Sequence, residues 1–330
     1  LCYGDLFEGS VVVDRTVDEL VADAQAEIDR VQAMGGAVAA VDSGYMKSQL
    51  VASHARRRRR IESGEEVVVG VNRFETSEPN PLLADLDAAI QTVDPAMEAE
   101  VVAAVQAWRR ARDPEAVDEA LRTLRDAAKT DANLVPATLA CARVGVTTGE
   151  WAGALREVFG EYRAPTGVAG AAVTAGGEEL AVVRALVQRT GAELGRRLKL
   201  LIGKPGLDGH SNGAEQIAVR ARDAGFEVVY QGIRLTPAQI VAAAVEEDVH
   251  LVGLSVLSGS HMELVPEVLR GLADAGLGDV PVVVGGIIPE SDGRALREQG
   301  VAAVFTPKDV GLTEIMRRMV EVVRTAHGLA

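Results

Sequence analysis

The stretch LKLLIGKPGLDGHSNG, residues 198–213, joins an apolar run to a loop holding three glycines, one lysine, one aspartate and one histidine. LKLLIG reads as a strand buried on both faces, because its apolar residues run almost without interruption. Four comparable runs follow: FEVVYQG, HLVGLSVL, PVVVGG and VAAVFTP. Between them lie AEQIAVRARDAG, TPAQIVAAAVEED, ELVPEVLRGLADAG and SDGRALREQ, and LTEIMRRMVEVVRTA closes the chain. Parallel strands need helical crossovers, and those helices cover both faces of the sheet. Residues 196–330 are therefore expected to form an α/β unit, a doubly wound sheet of five parallel strands. Thr236, Pro237 and Gln239 form a capping-box start for the second helix and support the phase of this assignment.

In such a sheet, ligands bind at the carboxyl ends of the strands, where the loop after LKLLIG falls. Gly206, Gly209 and Gly213 do not follow the dinucleotide spacing, and no Gly-Lys-Ser/Thr ending makes a phosphate loop. What remains is Asp208 and His210, two apart, which project to one side of an extended loop. A carboxylate beside an imidazole holds one ring nitrogen, fixes the tautomer and raises the basicity of the other. One histidine suits a metal whose other ligands come from elsewhere; the alternative is a histidine that caps a helix or fills a turn.

The rest of the chain has a different texture. Helical spacing of Leu20, Val21, Ala24, Ile28 and Val31 predicts a long amphipathic helix, ended by Gly35 and Gly36. A second helix is expected to run to about Ile61, with Arg56 to Arg60 on a solvated face, followed by EEVVVGVNRF as a short strand. Residues 85–195 read as a helical connector, with Asp113 and Pro114 opening one helix and a glycine-rich linker over 164–179.

At 330 residues the chain is long enough for two or three units, and 48% hydrophobic with 25% charged residues is a globular composition. A formal charge of −14 opposes binding to nucleic-acid backbones and anionic membranes. No membrane-span or signal-peptide pattern is present. Cys2 and Cys141 cannot make a disulfide framework; both read as buried small hydrophobes, which fits a cytoplasmic protein. The chain opens at Leu1 without an initiator methionine and is read as a piece of a longer protein.

D-x-H-x-x-G at 208–213, Ser255-Val256-Leu257 at the end of the third strand and Gly285-Gly286 at the end of the fourth form a set on one rim. This set resembles the cobalamin-binding domain of methionine synthases and acyl-CoA mutases. The resemblance implies a flavodoxin-like fold and adenosylcobalamin, with its cobalt, as cofactor. It makes His210 the lower axial ligand in place of the cofactor's benzimidazole, Asp208 its orienting partner and Lys204 the next member of the relay. Gly209, Ser211 and Gly213 would lie against the cofactor, and Ser255 would offer its hydroxyl to the benzimidazole. Leu257, Gly285 and Gly286 would border the nucleotide tail, with Thr306 and Pro307 lining its pocket. His261 is expected either to touch the corrin or to stand at a solvated helix start.

The resemblance extends further back. DLFEGSVVVD, GGAVAAVDSGYMK, RIESGEEVVVGVNRF and NLVPATLACARVGVTTGEWAGALREVFGEY look like the end of the (β/α)8 barrel domain and the connector of methylmalonyl-CoA mutase-type enzymes. The implied division is 1–84 barrel end, 85–195 connector and 196–330 cobalamin-binding domain. KPGLDGHSNGAEQIA and GLSVLSGSHMELVPEV are most similar to the ethylmalonyl-CoA branch, since methylmalonyl-CoA mutases usually carry Asp-Arg where this chain has Ser211 and Asn212. That branch implies a radical carbon-skeleton mutase interconverting ethylmalonyl-CoA and methylsuccinyl-CoA. In the family the CoA-binding groups lie mostly in earlier barrel strands, so no catalytic residue is assigned in this chain. It is expected to be inactive alone and to act as a homo-oligomer or with an amino-terminal mutase half. A methylmalonyl-CoA mutase and a non-catalytic corrinoid carrier are the alternative readings.

Overall fold

Each of the five apolar runs forms a strand in the computed structural model, which describes residues 7–74, 94–162, 165–166, 177–306, 309 and 311–329. The strands are β1 (Lys199–Gly203), β2 (Glu227–Tyr230), β3 (Leu251–Val256), β4 (Val282–Gly286) and β5 (Ala303–Phe305). All neighbours pair in parallel, in the order β2-β1-β3-β4-β5. Side chains alternate between two apolar cores, as the two-residue period of a strand requires. Leu200, Ile202, Leu251, Val283, Ala303 and Phe305 enter one, while Leu201, Val252, Leu254, Val282, Val284 and Val304 enter the other.

Among the described residues, the helices before the sheet are α1 (Val11–Ala33), α2 (Ala37–Asp42), α3 (Tyr45–Glu62), α4 (Pro95–Ala111), α5 (Pro114–Ala128), α6 (Val135–Arg143), α7 (Thr148–Phe159) and α8 (Glu178–Glu193). Between and after the strands come α9 (Asn212–Asp223), α10 (Pro237–Glu247), α11 (His261–Asp274), α12 (Glu290–Glu298) and α13 (Leu312–Ala326). Side chains of α8, α9 and α13 fill the first core, and those of α10, α11 and α12 fill the second. The expected capping box of α10 is present, with Gln239 N–H on Thr236 Oγ1 at 3.2 Å and Thr236 N–H on Gln239 Oε1 at 2.9 Å.

The chain divides into two compact units, Leu1–Glu75 with Ala164–Ala330, and Thr76–Arg163. In the second unit, Val117, Ala120, Leu121 and Leu124 of α5 form an apolar stripe that packs with Ala137 and Cys141 of α6 and Ala154 of α7. Asp113 caps α5 by accepting the Glu115 N–H at 3.0 Å. Cys141 is buried and free, and burial raises its thiol pKa; Cys2 lies outside the described residues, as does most of the glycine-rich linker.

Two expectations for the first unit are corrected. The second helix does not run unbroken from Ala37: Gly44 at φ 75° takes the left-handed conformation and divides it into α2 and α3. EEVVVGVNRF is not a strand but a turn with one isolated bridge, Val69 to Arg73. There the Asn72 side chain accepts the Val68 N–H at 2.8 Å and donates to the carbonyls of Ile61 and Glu66, so a side chain occupies the groups a ladder would need. In α1 the helix forms as expected, yet Leu20, Val21 and Ile28 of its apolar stripe are exposed. The arginine run behaves as read: on α3, Arg57 pairs with Glu66, Arg58 with Glu62 and Arg60 with Glu65.

Candidate functional site: a histidine loop on the carboxyl edge of the sheet

Strand β1 continues into β2 on one side of the sheet and lies beside β3 on the other, so the loops after β1 and β3 leave in different directions. Such a reversal of strand order is where ligands bind in open α/β sheets. The loop after β1 starts rigidly. Leu235 N–H donates to the Lys204 carbonyl at 3.0 Å and Gly206 N–H to the Leu235 carbonyl at 2.9 Å. Gly206 sits at φ 85°, and a β-carbon there would come within 2.7 Å of Leu264 Cδ1, so the turn requires glycine.

Lys204 is buried at the end of β1, with 1% exposure. A buried ammonium is tolerated only when it is paired. Its Nζ donates to Asp208 Oδ2 at 3.0 Å, to the Ser255 carbonyl at 3.1 Å and to Ser255 Oγ at 3.3 Å. Asp208 Oδ1 accepts both the His210 N–H at 2.9 Å and the His210 ring at Nδ1, 2.7 Å away. Burial pushes the Asp208 carboxyl upward, but the His210 backbone, the His210 ring and Lys204 outweigh it and hold the pKa at about 2. An ionised carboxylate only accepts, so Nδ1 must carry a proton, and in the neutral ring Nε2 carries the lone pair. The His210 side chain is 78% exposed. The result is an oriented imidazole with one nitrogen bound to the protein and the other presented outward, the arrangement found behind metal-bound histidines.

The structure joins Lys204, Asp208 and His210 in one hydrogen-bonded chain, as the resemblance implied, and adds Ser255 to it, a contact that sequence reasoning did not anticipate. Ser255 Oγ accepts from Lys204 and retains its own O–H for a ligand. Gly209 and Ser211 flank the histidine, and Gly213 lies in the first turn of α9 with nothing within 4 Å of where its β-carbon would be. Leu257 follows β3 and is exposed, as are Leu207 beside the histidine and Ile287 after β4. Three apolar side chains on three loops of one rim suit a broad, partly apolar ligand.

The two glycines of β4 differ. At Gly286 a β-carbon would lie 1.8 Å from the Val256 carbonyl oxygen, so β3 itself demands glycine there; at Gly285 the nearest atoms would be two carbonyl oxygens at 4.0 Å, which leaves room above the strand. Thr306 belongs to a separate network, its N–H on Asp309 Oδ2 at 2.8 Å; Pro307 lies outside the described residues.

The solvated-start expectation for His261 is corrected. It opens α11 but is buried, with Nε2 2.7 Å from Asp292 Oδ2 on α12. Sequence reasoning also missed Lys47 and Glu215, which meet next to Ser211. Glu215 is an acidic residue on the inward face of a helix, the one signal that could have marked it. Among the described residues no cluster of three or more histidine, cysteine or carboxylate side chains could hold a metal.

Fold and site together define a flavodoxin-like cofactor domain whose carboxyl edge presents one oriented histidine. Residues 198–316 match the B12 binding domain, and residues 4–161 match methylmalonyl-CoA mutase. The chain is 54% identical over 325 residues to ethylmalonyl-CoA mutase of Cereibacter sphaeroides, covering 98% of this chain and 49% of that protein. It is 53% identical to ethylmalonyl-CoA mutase of Methylorubrum extorquens, with 98% and 47% covered, and 34% identical to methylmalonyl-CoA mutase of Cereibacter sphaeroides, with 98% and 45% covered. The chain belongs to the methylmalonyl-CoA mutase family and carries its B12-binding domain. It spans about half the length of the curated relatives it matches.

Proposed function

We propose that this chain is the cobalamin-binding part of a radical mutase that interconverts ethylmalonyl-CoA and methylsuccinyl-CoA with adenosylcobalamin. The observation that carries the reading is the Asp208-held His210 ring, which offers Nε2 at the carboxyl edge of the sheet. His210 would ligate the cobalt, Asp208 and Lys204 would hold its tautomer and orientation, and Ser255 would donate to the cofactor's displaced benzimidazole. Gly209, Ser211, Gly213, Leu257, Gly285, Gly286 and Thr306 would border the corrin and its tail. When bound, the cofactor supplies the radical chemistry through its cobalt–carbon bond; the protein holds it, orients it and excludes water.

The residues present fit that group: one oriented histidine is exposed, the rim carries apolar side chains, and space lies above Gly285. Residues 1–84 would be the end of a barrel domain, 85–195 its connector and 196–330 the cobalamin-binding domain. Acyl-CoA would be held by an amino-terminal barrel half, with which this chain assembles, in a homo-oligomer or as a paired subunit. The reading sets the protein in the cytoplasm, and among the described residues no helix is long and apolar enough to cross a membrane.

Identity of 54% and 53% with two ethylmalonyl-CoA mutases, against 34% with a methylmalonyl-CoA mutase, supports the substrate choice. The two substrates differ by one methylene, which a pocket distinguishes by about 1–3 kcal/mol, so side activity on methylmalonyl-CoA is expected. The test is turnover of both substrates by the chain joined to the matching amino-terminal half. A kcat/KM higher for methylmalonyl-CoA contradicts the substrate assignment. Turnover by the 330-residue chain alone contradicts the need for a second half.

A further inference from the structure

The loop that carries His210 is irregular from Pro205 to Ser211 and needs fixing at both ends. Its start is tied to Leu235 and its middle to Lys204. At its far end, Ser211 occupies the N-cap position of α9 but makes no side-chain capping bond. Its hydroxyl instead accepts from Lys47 Nζ at 2.9 Å. The same ammonium meets Glu215 Oε1 at 2.7 Å, and the Glu215 side chain is 3% exposed. A carboxylate in the first turn of a helix is favoured by the local field, but when buried it needs a countercharge. Lys47 provides that charge from α3, a helix remote in sequence.

Helix α3 is built onto the sheet unit along its length. Val51 is buried in the same core as Ala214 and Ala218 of α9, with Ala55 packed against it. At its carboxyl end Glu62 accepts from Arg220 at 2.7 Å and from the Leu312 N–H at 3.4 Å. The apolar middle docks the helix, whereas Lys47 alone reaches the residue next to the histidine.

We propose that Lys47 is a positioning residue of the cobalamin site: through Ser211 and Glu215 it sets the start of α9, and with it the placement of the Asp208–His210 loop. The role rests on the cobalamin reading above, and it couples a segment that matches the mutase family to the metal ligand in the B12-binding domain.

Three variants of the chain separate this role from general stabilisation. Lys47→Met removes both bonds, Ser211→Ala removes only the tether to the loop, and Val51→Ala weakens α3 docking without touching the loop. Hydrogen exchange over residues 206–216 is compared with exchange in β3, and cobalamin affinity and the histidine-nitrogen splitting of bound cob(II)alamin are measured alongside. Lys47→Met is expected to speed loop exchange relative to β3 and to weaken cobalamin binding about tenfold, with a reduced histidine-ligated fraction. Ser211→Ala shifts both in the same direction by less. Val51→Ala lowers the melting temperature while the loop-to-β3 exchange ratio and the splitting stay as in the wild type. The proposal is overturned if Lys47→Met changes loop and β3 exchange in step, or frees the loop without altering affinity and splitting. A wild-type chain that binds no cobalamin would overturn the cofactor reading and this role with it; normal wild-type binding with an indifferent Lys47→Met overturns this role alone.

Discussion

At the carboxyl edge of the sheet His210 leans outward with Nδ1 on a carboxylate, and at the amino edge His250, just before β3, is buried with Nδ1 accepting the Lys199 N–H at 3.0 Å. The two rings are chemically identical, and their surroundings give them opposite tautomers. Asp208 forces the His210 proton onto Nδ1 and leaves Nε2 basic and open. The Lys199 N–H claims the lone pair of His250 Nδ1, so the neutral ring keeps its proton on Nε2, which has no hydrogen-bond partner among the described residues. Burial first, then the charge of Arg196 and the neighbouring His327, lowers the His250 pKa to about 4. One edge of the fold thus presents an oriented ring to the outside, and the other uses the same side chain as packing.

The contrast can be broken most severely at β4. Gly286→Ala forces a β-carbon into the Val256 carbonyl and is expected to unfold the sheet unit or cost upward of about 4 kcal/mol in urea denaturation. Gly285→Ala should leave stability within about 1 kcal/mol but weaken cobalamin binding by titration, because only the ligand would meet the added methyl. Unchanged cobalamin affinity in Gly285→Ala would show that no ligand occupies the space above that strand.

His210→Ala comes next. It should remove histidine ligation altogether and reduce cobalamin affinity by more than the roughly 10–100-fold expected for loss of an orienting partner. Asp208→Ala should fall within that 10–100-fold range. It also strands the buried Lys204 ammonium, which keeps only its Ser255 contacts, so the apo chain should lose about 3 kcal/mol in denaturation. Equal affinity in wild type and Asp208→Ala would reduce the carboxylate to a purely structural group.

The smallest expected effect lies at the amino edge. The pKa of His250 is about 4 in the folded chain against about 6.5 when unfolded, so the unfolded state binds more protons between these values. Stability is therefore fully present above pH 6.5 and is lost as the pH falls toward 4. From pH 7.5 to 5.5 the loss from this group is about 1 kcal/mol. His250→Asn, which keeps an acceptor for the Lys199 N–H, should flatten that part of the pH–stability curve without changing cobalamin affinity.

The sheet was legible because a doubly covered parallel strand leaves a long apolar run, and β1 to β5 fall within the five runs. Within the histidine loop, the Asp208–His210 pair was legible from its two-residue spacing, whereas the place of Lys204 came only from the family resemblance. Contacts made across the fold were not legible: Lys47 with Ser211 and Glu215, and His261 with Asp292, join residues whose patterns carry no mark of each other. Periodicity in α1 told which face is apolar but not what covers it. EEVVVGVNRF had strand composition, and the Asn72 side chain overrode it by capturing the backbone groups. The apolar rim residues Leu207 and Ile287 were hidden by the expectation that apolar side chains go inward.

The most direct measurement is the paramagnetic resonance spectrum of cob(II)alamin bound to the chain prepared with ¹⁵N-labelled histidine. With His210 as the lower ligand, the nitrogen splitting should change from the three-line pattern of ¹⁴N to the two-line pattern of ¹⁵N, and His210→Ala should abolish it. A three-line pattern unaffected by the label would mean that the cofactor's own benzimidazole remains on cobalt, and would contradict the assignment of His210.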